Sequence, residues 1–264
     1  MPIDFSLLAD CLGACIYSET KFFRRTLHLL VVAVLIIASF SICGAEEVEH
    51  KKALLMEEPE QKTISALQPI LNMTWGESTW DDRGYSIAVD SSNIYVAGRK
   101  TNFDRGYEEV FVLKCDLNGN RIWDTTWSGR NYEGAKSIAI DSSNIYVAGY
   151  TNSYGAGLHD AFILKYDLNG KLLWNKTWGD TDQDLAESIA VESSNIYVAG
   201  ETASYGEGNF DAFVLKYDLN GKLLWNKTWG GYGDDFGASI AIDSSNIYVV
   251  GETESYGAGG YDSF

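Results

Sequence analysis

A nine-residue phrase recurs four times along the chain. It appears as Asp90-Ser-Ser-Asn-Ile-Tyr-Val-Ala-Gly98, in the copies Asp141–Gly149 and Glu192–Gly200, and as Asp243-Ser-Ser-Asn-Ile-Tyr-Val-Val-Gly251. Its asparagines stand at 93, 144, 195 and 246, so each step is 51 residues. A chain with such a period folds as an array or ring of like units. Each unit leaves an apolar face that only the next copy can cover.

One full unit reads Ser188–Glu192, Asn195–Gly200, Asp211–Asp218 and Lys222–Trp229. Each piece is short, β-branched or aromatic, and bounded by Gly, Asn, Asp or Ser, which is the pattern of a strand. Asp-Ser-Ser-Asn joins the first two pieces and Asp218-Leu-Asn-Gly221 the last two. Both linkers tolerate left-handed backbone angles, so both predict tight hairpin turns. Four meandering strands per repeat predict an all-β fold, a β-propeller of four-stranded blades.

Complete units begin at Ser86, Ser137 and Ser188, and a fourth begins at Ser239 and stops at Asp262-Ser-Phe264. An outer-strand copy, Ile70-Leu-Asn-Met-Thr-Trp75, precedes them, which makes about three and a half blades. Propellers close with about 4–8 blades, since an open ring exposes strand edges. The count therefore predicts an incomplete ring. Strand 70–75 completing the last blade, two half-propellers pairing, and a fragment of a larger propeller protein are the three readings. The fragment is the simplest.

The units resemble the SBBP class of β-propeller repeat of bacterial and archaeal surface proteins over residues 70–264. The resemblance rests on Ser-Ile-Ala-Ile-Asp followed by Asn-Ile-Tyr-Val-Ala-Gly, on Asp-Ala-Phe-Val-Leu-Lys-Tyr-Asp, and on Gly-Lys-Leu-Leu-Trp. It implies the propeller fold and says little of activity. Gly170-Lys-Leu-Leu-Trp174 and Gly221-Lys-Leu-Leu-Trp225 also resemble the tryptophan-docking motif of quinoprotein propellers, which packs blades together. Gly119-Asn-Arg-Ile-Trp123 lacks its Lys, and nothing matches a quinone site. Trp123, Trp127, Trp174, Trp178, Trp225 and Trp229 alternate with polar residues in the outer strands, so they are the expected structural layer between blades.

Strand order puts the two repeated hairpin turns on one face. The longer, Gly- and Tyr-rich loops gather on the other, where a rigid scaffold is expected to carry function. Acidic residues recur there in two sets: Asp82, Glu133, Asp184 and Asp235, four residues before each innermost strand, and Glu109, Asp160, Asp211 and Asp262, opening each third strand. One reading is a ring of carboxylates binding a hard cation such as Ca²⁺. The other is architectural, each carboxylate accepting backbone N–H bonds to fix a loop. Copying in every unit favours architecture.

Tyr154, Tyr205 and Tyr256 sit beside glycines in these loops, placed either to stack on a sugar or protein ligand or to cover the neighbouring blade. Beyond residue 68 the only histidine is His159, which the other units replace with Glu108, Phe210 and Tyr261. A Ser or Cys nucleophile thus lacks a recurring base. Cys115 replaces Tyr166 and Tyr217 and reads as a buried thiol. Asn72, Asn175 and Asn226 open N-x-Thr glycosylation sequons, but their recurrence in the outer strand makes them ordinary strand residues first.

Lys21, Arg24 and Arg25 precede an apolar run from Leu27 to Cys43, followed by Gly44-Ala45 and acidic Glu46, Glu47 and Glu49. These are the parts of an export signal or a short membrane anchor, expected as an apolar helix. Cleavage after Ala45 and retention in the membrane both stay open. The expected organisation is 1–45 extension and membrane-interacting segment, 46–68 charged tether, and 69–264 propeller. A net charge of −17 repels phosphate backbones and excludes a nucleic-acid role. The expectation is an exported, non-catalytic binding module, secreted or held at the cell surface, whose partner is an extracellular protein or a carbohydrate. An extracellular enzyme or enzyme subunit with a carboxylate-lined channel, or a non-functional fragment of a larger propeller protein, are the alternatives.

Overall fold

Three of the four recurring phrases turn on their first residue, a short aspartate carboxylate. The Asp141 carboxylate accepts the Ser143 and Asn144 amides, each at 2.7 Å, and Tyr146 donates its hydroxyl to the second oxygen at 2.7 Å. Asp90 and Asp243 do the same for Tyr95 and Tyr248. One side chain thereby satisfies two turn amides and anchors the strand that follows.

The structure is a computed structural model that describes residues 74–76, 80–102 and 106–264. All belong to one compact unit, Ser65–Phe264. The expected export signal, anchor and tether lie outside the described residues, as does most of strand 70–75.

The described chain is all β. The first sheet holds β1 (Trp80–Val89), β2 (Asn93–Asn102), β3 (Tyr107–Asp116) and β4 (Arg121–Trp127). The second holds β5 (Glu133–Ile140), β6 (Asn144–Thr151), β7 (Asp160–Asp167) and β8 (Leu172–Trp178). The third holds β9 (Asp184–Glu192), β10 (Asn195–Thr202), β11 (Asp211–Asp218) and β12 (Leu223–Trp229). The fourth has three strands, β13 (Asp235–Ile242), β14 (Ile247–Thr253) and β15 (Asp262–Ser263). Every sheet is an antiparallel meander in chain order, which is a propeller-like repeat architecture.

The innermost strands are longer than the sequence pattern suggests. They were expected to begin at the repeated serines, but β5, β9 and β13 begin at Glu133, Asp184 and Asp235. A bulge before each serine absorbs one residue, leaving Tyr85, Lys136, Glu187 and Ala238 outside the pairing, and the strand then continues. The acidic set therefore lies within strands rather than in the loops before them.

Cores form between sheets, as the repeat requires. Tyr95, Val110 and Val112 pack on Ile145, Phe162 and Leu164 of the second sheet, and Tyr146, Ala148 and Ile163 pack on Ile196, Phe213 and Leu215 of the third. The Trp123 indole donates to the Leu168 carbonyl of the next sheet at 3.2 Å, and Trp174 to Leu219 at 3.3 Å. Gly170 has a φ of +83°, and a Cβ there would come within 3.1 Å of the Trp123 ring. The turn thus needs glycine both for its backbone and for the docked indole. Trp127 and Trp178 pack on Phe162 and Phe213 at 4.9 and 4.6 Å between ring centroids.

Candidate functional site

The repeated carboxylates come together in a way the sequence does not show. Asp160 opens β7 and Asp184 opens β9 of the following sheet, yet both line the backbone at Gly179, where an added Cβ would lie 2.5 Å from an oxygen of each. Asp211 and Asp235 meet in the same way at Gly230. At these two junctions, members of the two acidic sets meet as pairs that straddle neighbouring sheets.

Their oxygens are engaged in holding loops. Asp184 accepts the Thr202 and Ser204 hydroxyls and the Asp180 amide, and Asp235 accepts Thr253, Ser255 and the Gly231 amide. Asp160 accepts the Ala156 and Gly157 amides at 3.0 and 3.3 Å. In the first junction Glu133 accepts the Gly129 amide and the Thr151 hydroxyl. Glu133, Asp184 and Asp235 are fully buried, and Asp82 is partly buried near Gly76. Burial, with its neighbour Asp184 adding to the effect, pushes the Asp160 carboxyl up, and burial with Asp235 does the same to Asp211. Asp235 is held below the usual range despite its burial, because the Ser255 and Thr253 hydroxyls donate to it. Among the described residues no three His, Cys, Asp or Glu side chains are grouped to hold a metal ion.

Tyr154, Tyr205 and Tyr256 lie over the tryptophans of the preceding sheet. Their rings sit 4.9, 5.1 and 5.1 Å from Trp127, Trp178 and Trp229. Their hydroxyls donate to the carbonyls of Ser128, Gly179 and Gly230. Each clamps one junction and stays partly exposed to solvent. Cys115 is buried and unpaired, and burial raises its thiol.

The side chains that differ between copies gather at the end of the sheets away from the hairpins. Cross-strand pairs there are Arg83–Arg99, Gly134–Tyr150, Leu185–Glu201 and Phe236–Glu252. The bulge residues Tyr85, Lys136, Glu187 and Ala238 stand beside them. Bulges redirect a side chain, and here the redirected position is also a variable one.

Within the first sheet the Arg99 guanidinium lies 2.6 Å from the Glu108 carboxylate, and across the first junction Tyr150 of the next sheet donates to Glu108 at 3.3 Å. Lys136 reaches Glu187 across the second junction at 2.8 Å. His159 meets the Tyr150 ring edge-on at 5.5 Å, and its buried Nδ1 makes no hydrogen bond. Burial and the Glu108 charge push the Tyr150 hydroxyl up to about 12, so it remains a neutral donor. Burial lowers His159, which keeps the imidazole uncharged at neutral pH. The basic side chains named at this end, Arg83, Arg99 and Lys136, come from the first two sheets, beside Glu108 and Tyr150, whereas the third and fourth sheets contribute Glu187, Glu201, Phe236 and Glu252.

Of this cluster, only His159 and its counterparts stand out when the sequence is read for motifs. Arg99, Lys136, Tyr150 and Glu187 become visible only on aligning the four copies and keeping the positions that disagree.

No protein-family model matches the chain. It is similar to an uncharacterized WD repeat-containing protein of Acanthamoeba polyphaga mimivirus, 25% identical over 251 residues, which cover 83% of this chain and 17% of that protein. It is also similar to the regulatory protein FlaEY of Caulobacter vibrioides, 28% identical over 158 residues, 50% of this chain and 17% of that one. An uncharacterized protein of Aquifex aeolicus is 30% identical over 95 residues, 36% of this chain and 27% of that one. The chain therefore spans less than a third of the length of each of these relatives. Sheet order and the WD-repeat likeness together define a propeller-like repeat protein.

Proposed function

We propose that the chain is a non-catalytic propeller module of the SBBP type, exported and displayed at the cell surface or secreted, which binds an extracellular protein or carbohydrate. The observation that carries this reading is the distribution of sequence difference. The hairpin end is nearly identical in every unit, whereas the opposite end presents different charged and aromatic side chains from each sheet. A uniform scaffold with one varied end is suited to recognition. The varied end is asymmetric, so it offers one composite surface rather than four equal sites. The likeness to a WD repeat-containing protein supports an interaction role. The basic, apolar and acidic order of residues 21–49 supports export.

An enzyme with a carboxylate-lined channel is less well supported. Glu133, Asp184 and Asp235 already accept two or more hydrogen bonds each from surrounding loops, which fits a holding role better than proton transfer.

Screening the full chain against arrays of glycans and surface proteins, then repeating with Arg83→Glu and with Ser142→Ala, tests the assignment. Arg83→Glu is expected to weaken the ligand at least about tenfold, and Ser142→Ala on the hairpin end to leave it unchanged. Equal loss from both variants, or no loss from Arg83→Glu, would sink the assignment of the binding face.

A further inference from the structure

Two asparagines of the outer strands hold nothing together in the fold. The hairpin asparagines Asn93, Asn144 and Asn246 donate to the turn aspartate. Asn175 in β8 and Asn226 in β12 stand inside strands instead, where asparagine is disfavoured. Both are exposed, and among the described residues neither side chain has a hydrogen-bond partner. Their counterpart in the first sheet is Asp124, which does have a partner, since the Arg121 guanidinium lies 2.5 Å away. Leu172 and Leu223 take the place of that arginine, so the pair is not rebuilt in the second and third sheets.

Two residues beyond each asparagine stands a threonine, Thr177 or Thr228, and both are exposed. Alternation along a strand puts residues i and i+2 on one face, so amide and hydroxyl are neighbours on an open surface. The flanking side chains point the other way. A Cβ on Gly221, in the third sheet's turn, would come within 3.2 Å of the Trp174 ring and 2.8 Å of Lys176. The face of β8 that docks on the next sheet is therefore opposite the face that carries Asn175 and Thr177. The second sheet packs on both the first and the third, so this open face lies well inside the series. Each triplet has the form N-x-Thr with lysine, not proline, in the middle. The third such triplet, at Asn72, begins outside the described residues.

We propose that Asn175 and Asn226 are acceptors for N-linked oligosaccharide, each directed by the threonine two residues on. The donor is of the lipid diphosphate-linked oligosaccharide class. The asparagine amide nitrogen bonds to the anomeric carbon of the first sugar, and the bond from that carbon to the diphosphate oxygen breaks. The lipid diphosphate leaves with the electron pair, and the amide gives up one proton. The proposal rests on the export reading above, since such triplets are modified in exported proteins. It also gives the outer strands a protection they otherwise lack. β8 and β12 each pair on one side only. A bulky polar glycan blunts such an edge against pairing with another chain, as the charged pair Arg121 and Asp124 does in β4.

The test takes the folded full chain, made in a host without N-glycosylation, and incubates it with an oligosaccharyltransferase and a lipid diphosphate-linked oligosaccharide. Peptide mass mapping then reads each site. The wild type is expected to gain one glycan at Asn175 and one at Asn226. Asn175→Gln and Thr177→Ala are each expected to lose the glycan at 175 and keep the one at 226. Thr177→Ser retains the hydroxyl and is expected to keep both. All these substitutions fall on exposed side chains, so unmoved melting curves report intact folding. A folded chain that takes no glycan at either asparagine overturns the proposal, as does a glycan at Asn175 that survives Thr177→Ala. A glycan at one site alone overturns the assignment of the other. Fractionating cells that make the chain tests export separately. A chain that stays inside the cell but accepts glycan in vitro overturns export and supports the acceptor sites, whereas an exported chain that refuses glycan overturns the sites alone.

Discussion

Glu192 is where the hairpin phrase changes its first residue, and the turn changes with it. In the other three copies an aspartate accepts two amides and a tyrosine hydroxyl. The third copy has a side chain one methylene longer, and the following Ser193 adopts a φ of +54°, the region that non-glycine residues avoid. Glu192→Asp is therefore expected to restore the cap, return Ser193 to an ordinary conformation and give Tyr197 an acceptor. Each hydrogen bond contributes about 0.5–1.5 kcal/mol net. The expected gain is about 1 kcal/mol, read as a higher urea midpoint with an unchanged slope. A lower midpoint would show that the glutamate turn is the better fit at this junction.

At the scale of elements, the outer strands are docking strips as well as solvent-facing edges. Their first tryptophans, Trp123 and Trp174, donate to a carbonyl in the next sheet's hairpin, while Lys114 and Lys165 donate to the same carbonyls at 3.1 and 2.8 Å. Their second tryptophans lie between a phenylalanine of the next sheet's third strand and a tyrosine from its loop. The loop tyrosines are thus clamps between neighbours as well as surface rings. Trp174→Ala removes both the indole packing and a hydrogen bond, and large aromatic-to-alanine changes cost about 3–5 kcal/mol when buried. Trp174 is partly exposed, so a loss of about 2–3 kcal/mol is expected. An unchanged melting curve would refute docking between the second and third sheets.

At the scale of the whole molecule, carboxylates pull stability in two directions with pH. Asp243 is held at about 2 by the Ser245 amide, the Tyr248 hydroxyl and the Asn246 amide, and Asp90 and Asp141 are also depressed. Depressed groups contribute stability above the unfolded carboxylate value of about 3.9, and that stability is lost as pH falls through the folded value. Asp160 and Asp211 are raised by burial and by their paired neighbours, so protonating them relieves strain before the turn aspartates titrate. Stability measured by urea unfolding is expected to gain from protonation of Asp160 and Asp211 as pH falls towards the unfolded carboxylate value of about 3.9, and to fall as pH drops below that value and the turn aspartates titrate. A steady fall with no gain above the unfolded carboxylate value would show that the paired aspartates are not under mutual strain.

The sequence alone determines the repeat, the strand count in each unit, the hairpin aspartates and the docking tryptophans. These are set by local chemistry: turn residues, alternation and a period that demands a like neighbour. It also suggests the paired acidic positions, but as two separate sets. Only the tertiary structure decides that Asp160 meets Asp184 and that Asp211 meets Asp235, because members of each pair lie in different sheets. The same holds for the varied end. Arg99, Glu108, Tyr150 and His159 come from two sheets and share no motif, and the bulges that redirect Lys136 and Glu187 depend on register between strands. What repeats is readable along the chain; what differs acquires meaning only where separate copies are brought side by side.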